Sequence, residues 1–315
     1  MMRVSPLAPL AACCALAACD VAQSGQGGVL TFAWQELERS LPVAFDTPVA
    51  AGLSGAVAVT SVGSDAALAV TAATSSDPEI LEVRSVDFNV IQVRARSPGT
   101  VTITVETDGG RDTIELHVAE LATVDLSGPG FLVPETPTPR AVVGGRMALA
   151  VALRDAGGGR LTGYGELPVV IRADPPEASD AARFVGQGFI RPTFLAEGPV
   201  TLTPGAGEGF ALEVVAPSAL VDLELRGLQS LTSLAVGESA SGVLRGLTND
   251  AATVAGLDGV VTLAAAEAIC RIVPNTKLGD GVFEVTAVAS GTCTITGTVA
   301  GAGGYTEQWS FQVGP

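Results

Sequence analysis

The chain has 315 residues, of which 47 % are hydrophobic but only 4 % aromatic, with 38 glycines and 19 prolines. Small apolar residues interrupted by so many turn formers favour many short strands and exclude a bundle of long helices. The formal net charge of −16 argues against a nucleic-acid partner, because an acidic surface repels phosphates, and favours a soluble secreted protein.

Residues 1–18 have the form of a secretory signal peptide. A positive start at Met1-Met2-Arg3 precedes an apolar stretch, Val4 to Ala18, that is too short to span a bilayer comfortably. The stretch runs into Leu16-Ala17-Ala18-Cys19, which resembles the lipobox of bacterial lipoproteins. The resemblance implies cleavage before Cys19 and acylation of its thiol and freed amine, and two or more acyl chains give a stable membrane anchor.

The residues around the lipobox leave some choices open. Leu10-Ala11-Ala12-Cys13 is a second lipobox-like run, but it leaves a shorter apolar region, so Cys19 is the better lipidation site. Asp20 resembles the inner-membrane retention signal of enteric bacteria. We therefore expect a lipid-anchored protein of the cell envelope, in the outer membrane at its periplasmic face or on the cell surface, with the inner membrane left open by Asp20. Residues 19–27 are predicted to be a flexible tether.

One strand pattern occurs three times in the mature chain. Gly99-Thr100-Val101-Thr102-Ile103-Thr104 returns as Gly291-Thr292-Cys293-Thr294-Ile295-Thr296, and more weakly as Gly198-Pro199-Val200-Thr201-Leu202-Thr203. Glycine allows a turn, and the alternation that follows sends apolar residues to one face and threonines to the other. The copies lie about 100 residues apart, which is the size of one small β-sandwich.

The repeat therefore predicts an all-β chain of three tandem immunoglobulin-like β-sandwich domains, over 28–119, 120–224 and 225–315. Within the second unit, the proline-rich stretch from Gly128 to Pro139 is predicted to be an extended connector, since proline cannot donate a ladder hydrogen bond.

These motifs resemble the bacterial immunoglobulin-like domain family of surface proteins and adhesins. Ser76-Asp77-Pro78, the strand from Ile80 to Val83 and the strand from Gly99 to Thr104 match its Ser-Asp-Pro segment, hydrophobic strand and Gly-Thr strand. The middle unit departs from the family, because Pro199 replaces the threonine. The resemblance implies the fold, but turn and core motifs imply very little about function.

The chain lacks the residue patterns that catalysis needs. The only histidine, His117, alternates with Leu116 and Val118 and is predicted to face solvent, which argues against a catalytic triad and a histidine zinc site. A glycosidase needs a pair of carboxylates, and the sequence gives no reason to choose one pair among its many acidic residues. Gly205 to Gly209 precedes a strand rather than a helix, so it is a turn and not a phosphate loop. We predict no enzyme activity, no metal site and no cofactor.

Aromatic residues are the candidates for ligand contact. Tyr164 and Tyr305 lie in predicted turns and could offer a ring to a sugar, although a turn tyrosine more often packs at an edge. Trp34 and Trp309 alternate with apolar residues and are predicted to lie in the core.

Aligning the first and third copies predicts a disulfide. The alignment places Val101 opposite Cys293 and Leu81 opposite Cys270. Two apolar positions that both become cysteine are expected to touch, and the other three cysteines leave with the signal peptide or are acylated. We therefore predict a Cys270–Cys293 disulfide, the alternative being two buried free cysteines.

The leading hypothesis is a membrane-anchored, non-catalytic structural or adhesive module of the envelope or cell surface. Its partners are the membrane, through the lipid anchor, and an unidentified envelope protein or polysaccharide. The alternative is an accessory subunit that binds polysaccharide or joins an envelope complex, and exposed aromatic rings in a groove would favour it. An enzyme would instead need a cleft of perturbed carboxylates.

Overall fold

The computed structural model describes residues 22–35, 43–64, 66–128, 138–180, 184–186, 188–205, 207–228, 230–274, 281–301 and 305–314. Their regular structure is β-strand, apart from two short 3₁₀ helices at Pro176–Ala178 and Pro217–Ala219. The all-β prediction is confirmed. The signal peptide, Cys19 and Asp20 lie outside the described residues, as does most of the predicted connector.

The first sandwich consists of two packed sheets. Its strands are β1 (Ala22–Ser24), β2 (Leu30–Trp34), β3 (Val49–Ala50), β4 (Ser54–Ser61), β5 (Val70–Ser75), β6 (Leu81–Asp87), β7 (Val90–Ala95), β8 (Gly99–Thr107) and β9 (Gly110–Ala119). One sheet has the order β1-β2-β4-β7-β6 and the other β3-β9-β8-β5. Alternation along β8 buries Val101, Ile103 and Val105 and turns the threonines outward, as the repeat predicted.

The second sandwich has shorter strands. They are β10 (Thr123–Ser127), β11 (Arg140–Val142), β12 (Leu149–Arg154), β13 (Arg160–Leu161), β14 (Gly165–Glu166), β15 (Ile171–Asp174), β16 (Phe184–Val185), β17 (Phe189–Ile190), β18 (Gly198–Pro204) and β19 (Phe210–Val215). Strand β12 lies between β10 and β13 and also pairs with β17, while β15, β18, β19 and β11 form the facing sheet.

The third sandwich repeats the first. Its strands are β20 (Leu220–Arg226), β21 (Ser233–Ala235), β22 (Ser239–Thr248), β23 (Thr253–Val254), β24 (Val261–Ala265), β25 (Cys270–Pro274), β26 (Val282–Ala287), β27 (Gly291–Val299) and β28 (Thr306–Gly314). One sheet has the order β21-β28-β27-β24, and β23-β22-β26-β25, with β20 also on β22, forms the other.

The glycine that opens the repeated strand has the same surroundings in the first and third sandwiches. A Cβ at Gly99 would lie 2.6 Å from Cδ1 of Ile80, and a Cβ at Gly291 would lie 2.9 Å from Cδ1 of Ile269. The carbonyl of each isoleucine accepts a backbone hydrogen bond, from Arg96 N at 2.8 Å and from Val288 N at 2.8 Å. Glycine is needed here because an isoleucine occupies the space of a side chain.

Backbone hydrogen bonds join the first sandwich to the second. Ala50 N donates to Thr162 O and Ser54 N donates to Tyr164 O, each at 2.9 Å, and Tyr164 N donates back to Ser54 O at 2.9 Å. Ala50 and Leu53, from the first unit, also pack into the core of the second. The junction is therefore part of the folded structure rather than a free hinge.

A continuous sheet joins the second sandwich to the third. Strand β11 pairs in parallel with β19 on one side and with β23 on the other. Arg140 lies on β11 and contacts both units, with Nε 3.2 Å from Glu213 and Nη1 2.7 Å from Asp250. Val142 belongs to the second predicted unit but packs into the core of the third sandwich. The apolar cores therefore do not coincide with the predicted domain limits 28–119, 120–224 and 225–315. Those limits stay a prediction.

This junction allows almost no added volume at Gly145. A Cβ there would overlap the carbonyl oxygen of Gly256 in the third unit. We expect Gly145→Ala to weaken the junction by about 1–3 kcal/mol, since the backbones must move apart. In calorimetry the second and third sandwiches should unfold together in the wild type and in two separated transitions in the variant. Gly314→Ala, whose Cβ meets nothing within 4 Å, is the control; equal behaviour of the two variants would contradict the prediction.

Candidate functional site

The first described residues are a strand and not a free tether. Ala22 pairs with Ala33 and Ser24 with Thr31, so β1 is the edge strand of the first sandwich. The flexible tether predicted for 19–27 is therefore wrong over residues 22–27. Two glycines of this segment, Gly25 and Gly27, allow a close approach to another strand. The predicted lipidation site, Cys19, lies only three residues before β1.

That close approach is to Asp112, a buried carboxylate with 3 % exposure. Its Oδ1 accepts backbone hydrogen bonds from Gly27 at 2.5 Å and Thr113 at 2.8 Å, and its Oδ2 accepts from Val29 at 2.9 Å and Leu30 at 3.0 Å. The loop from β1 to β2 thus wraps a carboxylate on β9 with its backbone N–H groups, as anion-binding backbone concavities do.

Glycines make this wrapping sterically feasible. A Cβ at Gly25 would overlap the Asp112 carboxyl group, and one at Gly27 would lie 2.8 Å from its Oδ1. Burial raises the pKa of Asp112, but the four backbone donors outweigh burial and hold the pKa below the usual value of 3.8. Asp112 is therefore ionised at neutral pH and fastens the N-terminal segment to the first core.

Sequence reasoning missed Asp112, although a signal was present. Asp112 shares the inward phase of β9 with Ile114, Leu116 and Val118, all of which are buried. A charged residue in an apolar phase needs compensating partners, because burying an unpaired charge is very costly. The phase could therefore have marked Asp112 as a buried acid.

The two tyrosines predicted as ligand contacts are half-buried and do not come together. Tyr164 lies in the junction of the first two sandwiches, where its hydroxyl donates to Oε1 of Gln92 and burial raises its pKa. The ring of Tyr305 packs against the third core, and its hydroxyl donates to Glu307 at 2.7 Å. Each tyrosine therefore packs at a strand edge, which is the commoner role of a turn tyrosine, and its contact with a ligand stays a prediction.

The structure contains the disulfide predicted from the repeat. Cys270 and Cys293 are joined, with a Cα–Cα distance of 5.6 Å, and both are fully buried. Cys270 opens β25 and pairs with Ala287, as Leu81 opens β6 and pairs with Ala95. The alignment therefore places the same two positions together in both sandwiches.

Several charged side chains of the described residues form ion pairs on strand faces. Glu82 binds Arg96 at 2.8 Å and Arg84 at 3.2 Å, and the hydrogen bond from Arg96 is the main cause that lowers its pKa. His117 lies on the outer face, with Nδ1 3.0 Å from the Thr100 hydroxyl. Within the described part of the chain, no three metal-ligating side chains cluster.

A cavity of about 340 Å³ opens in the third sandwich. Its apolar lining comes from both sheets and includes Leu244, Leu257, Val261, Leu263, Ile272, Val282 and Phe283. The acid in the lining, Asp258, is held by Arg146 at 3.0 Å. The lining is mostly apolar, and its residues do not supply a paired acid and base.

In the described ranges, no helix has the length and apolar character that crossing a membrane requires. Neither a protein-family model nor a curated protein sequence matches the chain. Membership of the bacterial immunoglobulin-like domain family therefore stays a prediction.

Three solved structures show the range of similar folds. Domains 4–9 of the surface layer protein SbsC match at 17 % identity and a TM-score of 0.29, covering 90 % of this chain and 47 % of that one. The Escherichia coli adhesin FdeC matches at 15 % and 0.25, covering 86 % and 95 %. Invasin, a bacterial integrin-binding protein, matches at 14 % and 0.23, covering 90 % and 60 %. The chain spans about half the length of the SbsC fragment, and at TM-scores this low no functional conclusion follows.

Proposed function

We propose that this protein is a lipid-anchored, non-catalytic spacer of the bacterial envelope that presents a binding face away from the membrane. The observation that carries the proposal is the continuous backbone hydrogen bonding between consecutive sandwiches, at Ser54 with Tyr164 and along β11. Domains joined in this way hold fixed positions relative to their neighbours, as a spacer requires. Domains joined by flexible linkers do not.

The third sandwich supports the proposal with an uncharged outer face. On β27 and β28, Thr292 pairs with Gln312, Thr294 with Ser310 and Thr296 with Gln308. These side chains carry no charge, in a protein whose formal net charge is −16. A neutral polysaccharide can approach such a face without electrostatic repulsion, so this face favours polysaccharide binding as the second candidate function.

Acylation of Cys19 is the step that the proposal needs first. Replacing Cys19 by serine removes the thiol that accepts the acyl chains, so we expect loss of radioactive palmitate incorporation and of partition into the detergent phase. Cys13→Ser is the matched control and should retain both. If Cys19→Ser still labels and partitions, the anchor is elsewhere and the proposal is wrong in this respect.

A further inference from the structure

One turn has the same backbone hydrogen bonds in all three sandwiches. It covers residues 50–54, 142–146 and 235–239, beginning at the last residue of β3, β11 and β21. Its glycine, at positive φ, donates to a neighbouring segment of its own unit, as Gly52 to Ala95 O, Gly144 to Phe194 O and Gly237 to Ala287 O. The residue after that glycine donates back into the turn, as Leu53 to Ala50 O, Gly145 to Val142 O and Glu238 to Ala235 O. Residues 53, 145 and 238 therefore occupy equivalent places, and we call this turn the docking turn.

The first two docking turns bind the sandwich that follows them. Two residues after the glycine, each turn forms an antiparallel bridge to the next unit, Ser54 with Tyr164 and Arg146 with Asp258. The residue between the glycine and the bridge is buried in both turns. Leu53 packs into the core of the second sandwich, and Gly145 lies against the carbonyl of Gly256 in the third. The chain thus uses one contact geometry twice.

In the third docking turn, an acid takes the place of a following sandwich. Glu238 is exposed, whereas its two equivalents are buried. Across the first junction, Ala50 N donates to Thr162 O at 2.9 Å. The equivalent donor of the third turn, Ala235 N, donates instead to Oε2 of Glu238 at 3.0 Å. Glu238 therefore supplies, from its own turn, the acceptor that the second sandwich supplies to the first.

The strand edge beside the third docking turn is open in the described part of the chain. Ser54 pairs with its own sheet and also with Tyr164 of the next sandwich. Within the described ranges, the equivalent Ser239 pairs with its own sheet, at Thr286, and has no second strand partner. The neighbouring Val236 is 45 % exposed. Open strand edges pair readily with other chains, and a charged side chain at the edge opposes this pairing.

We propose that Glu238 closes the docking turn of the third sandwich and thereby keeps two copies of this chain from joining end to end. In a two-fold contact between third docking turns, the commonest symmetry of protein dimers, the two Glu238 carboxylates would meet. Like charges repel, and a carboxylate that loses its water without gaining a cation is strongly destabilised. The formal net charge of −16 on each chain adds to the repulsion. The inference rests on the two internal junctions and does not depend on the lipid anchor.

The test compares variants of the full acylated protein in detergent, with micelles in molar excess so that anchors do not share a micelle by chance. Glu238→Leu places the residue of the first docking turn in the third and removes both the acceptor and the charge. We expect it to form a dimer with a Kd of about 1 mM or tighter, measured by sedimentation equilibrium as a rise in mass with concentration. Backbone amides 239–241 should gain protection from hydrogen exchange in the dimer. Glu238→Gln is the matched control, because it keeps an acceptor oxygen for Ala235 N, and it should remain a single copy like the wild type.

A reciprocal variant tests the same role in the first sandwich. Leu53→Glu offers Ala50 N an acceptor within its own turn and places a charge against the second core. The amide of Tyr164 should then exchange at least about tenfold faster than in the wild type, because the junction opens. Unchanged exchange at Tyr164 would overturn the equivalence of the docking turns.

The association measurement decides the inference independently of that variant, since residue 238 is exposed and its replacement does not disturb a core. If Glu238→Leu stays a single copy up to about 1 mM, or associates no more than Glu238→Gln, Glu238 does not close this face and the inference is overturned.

Discussion

Asp112→Ala is expected to lower the free energy of unfolding of the first sandwich by about 3–5 kcal/mol. Four backbone N–H groups, of Gly27, Val29, Leu30 and Thr113, lose a charged acceptor at once. The loss should release β1 and the following loop before the rest of the sheet. Hydrogen exchange of residues 22–30 together with urea unfolding measures both effects.

Two further variants distinguish the carboxylate from its surroundings. Asp112→Asn keeps one acceptor oxygen but turns an NH₂ group towards two N–H donors. We therefore expect it to lose about half of the stability that Asp112→Ala loses. Gly25→Ala should also release β1, because its Cβ overlaps the carboxyl group. Glu115→Ala, on the outer face of the same strand, should change stability by less than about 0.5 kcal/mol. A loss in Glu115→Ala equal to that in Asp112→Ala would contradict the assigned role.

The pH dependence of the same contact has a defined sign. The folded-state pKa of Asp112 lies below the unfolded value of 3.8, so its contribution is present above pH 3.8. The contribution is lost as the pH falls through the folded-state pKa. Exchange protection of residues 22–30 should therefore persist in wild type from neutral pH down to about pH 4 and weaken progressively below it, as the pH falls through the folded-state pKa of Asp112, whereas in Asp112→Asn it should not change with pH over that range.

The second large effect is expected from the disulfide. Cys270 and Cys293 close a loop with a sequence separation of 23, worth about 3 kcal/mol by the chain-entropy estimate. The double variant Cys270→Ser, Cys293→Ser should lose this stabilisation and should also bury two hydroxyl groups in an apolar core. Urea unfolding followed by Trp309 fluorescence measures the loss, and mass spectrometry of non-reduced peptides checks the pairing.

The first sandwich provides the matched variant. Leu81 and Val101 occupy the corresponding positions and are 0 % and 2 % exposed. The double variant Cys270→Leu, Cys293→Val should fold and be more stable than the double serine variant, because it restores apolar contact without the covalent link. If the two double variants are equally unstable, the cores of the two sandwiches are not equivalent and the alignment is wrong.

The burial pattern of the repeated strands and the disulfide pair could be predicted from the sequence. In a strand, successive side chains point to opposite faces, so the alternation from Val101 to Val105 determined which residues are buried without knowledge of the neighbours. The repeat then added a long-range contact. Since Leu81 and Val101 both align with cysteines, comparison of the copies placed Cys270 beside Cys293 across a separation of 23 residues.

Contacts between unlike segments were decided only by the tertiary structure. Asp112 binds backbone groups about 82–85 residues away, and backbone N–H donors are the same in every residue type, so sequence does not mark them. The same reason applies to the junction at Ser54 and Tyr164, whose hydrogen bonds join main chain to main chain. The alternation of side chains is a local property of a strand. Contacts between segments that are distant in sequence depend on how the strands and the sandwiches pack against one another. Residues 22–27 therefore read as a tether in sequence and form a strand with a bound loop in the fold.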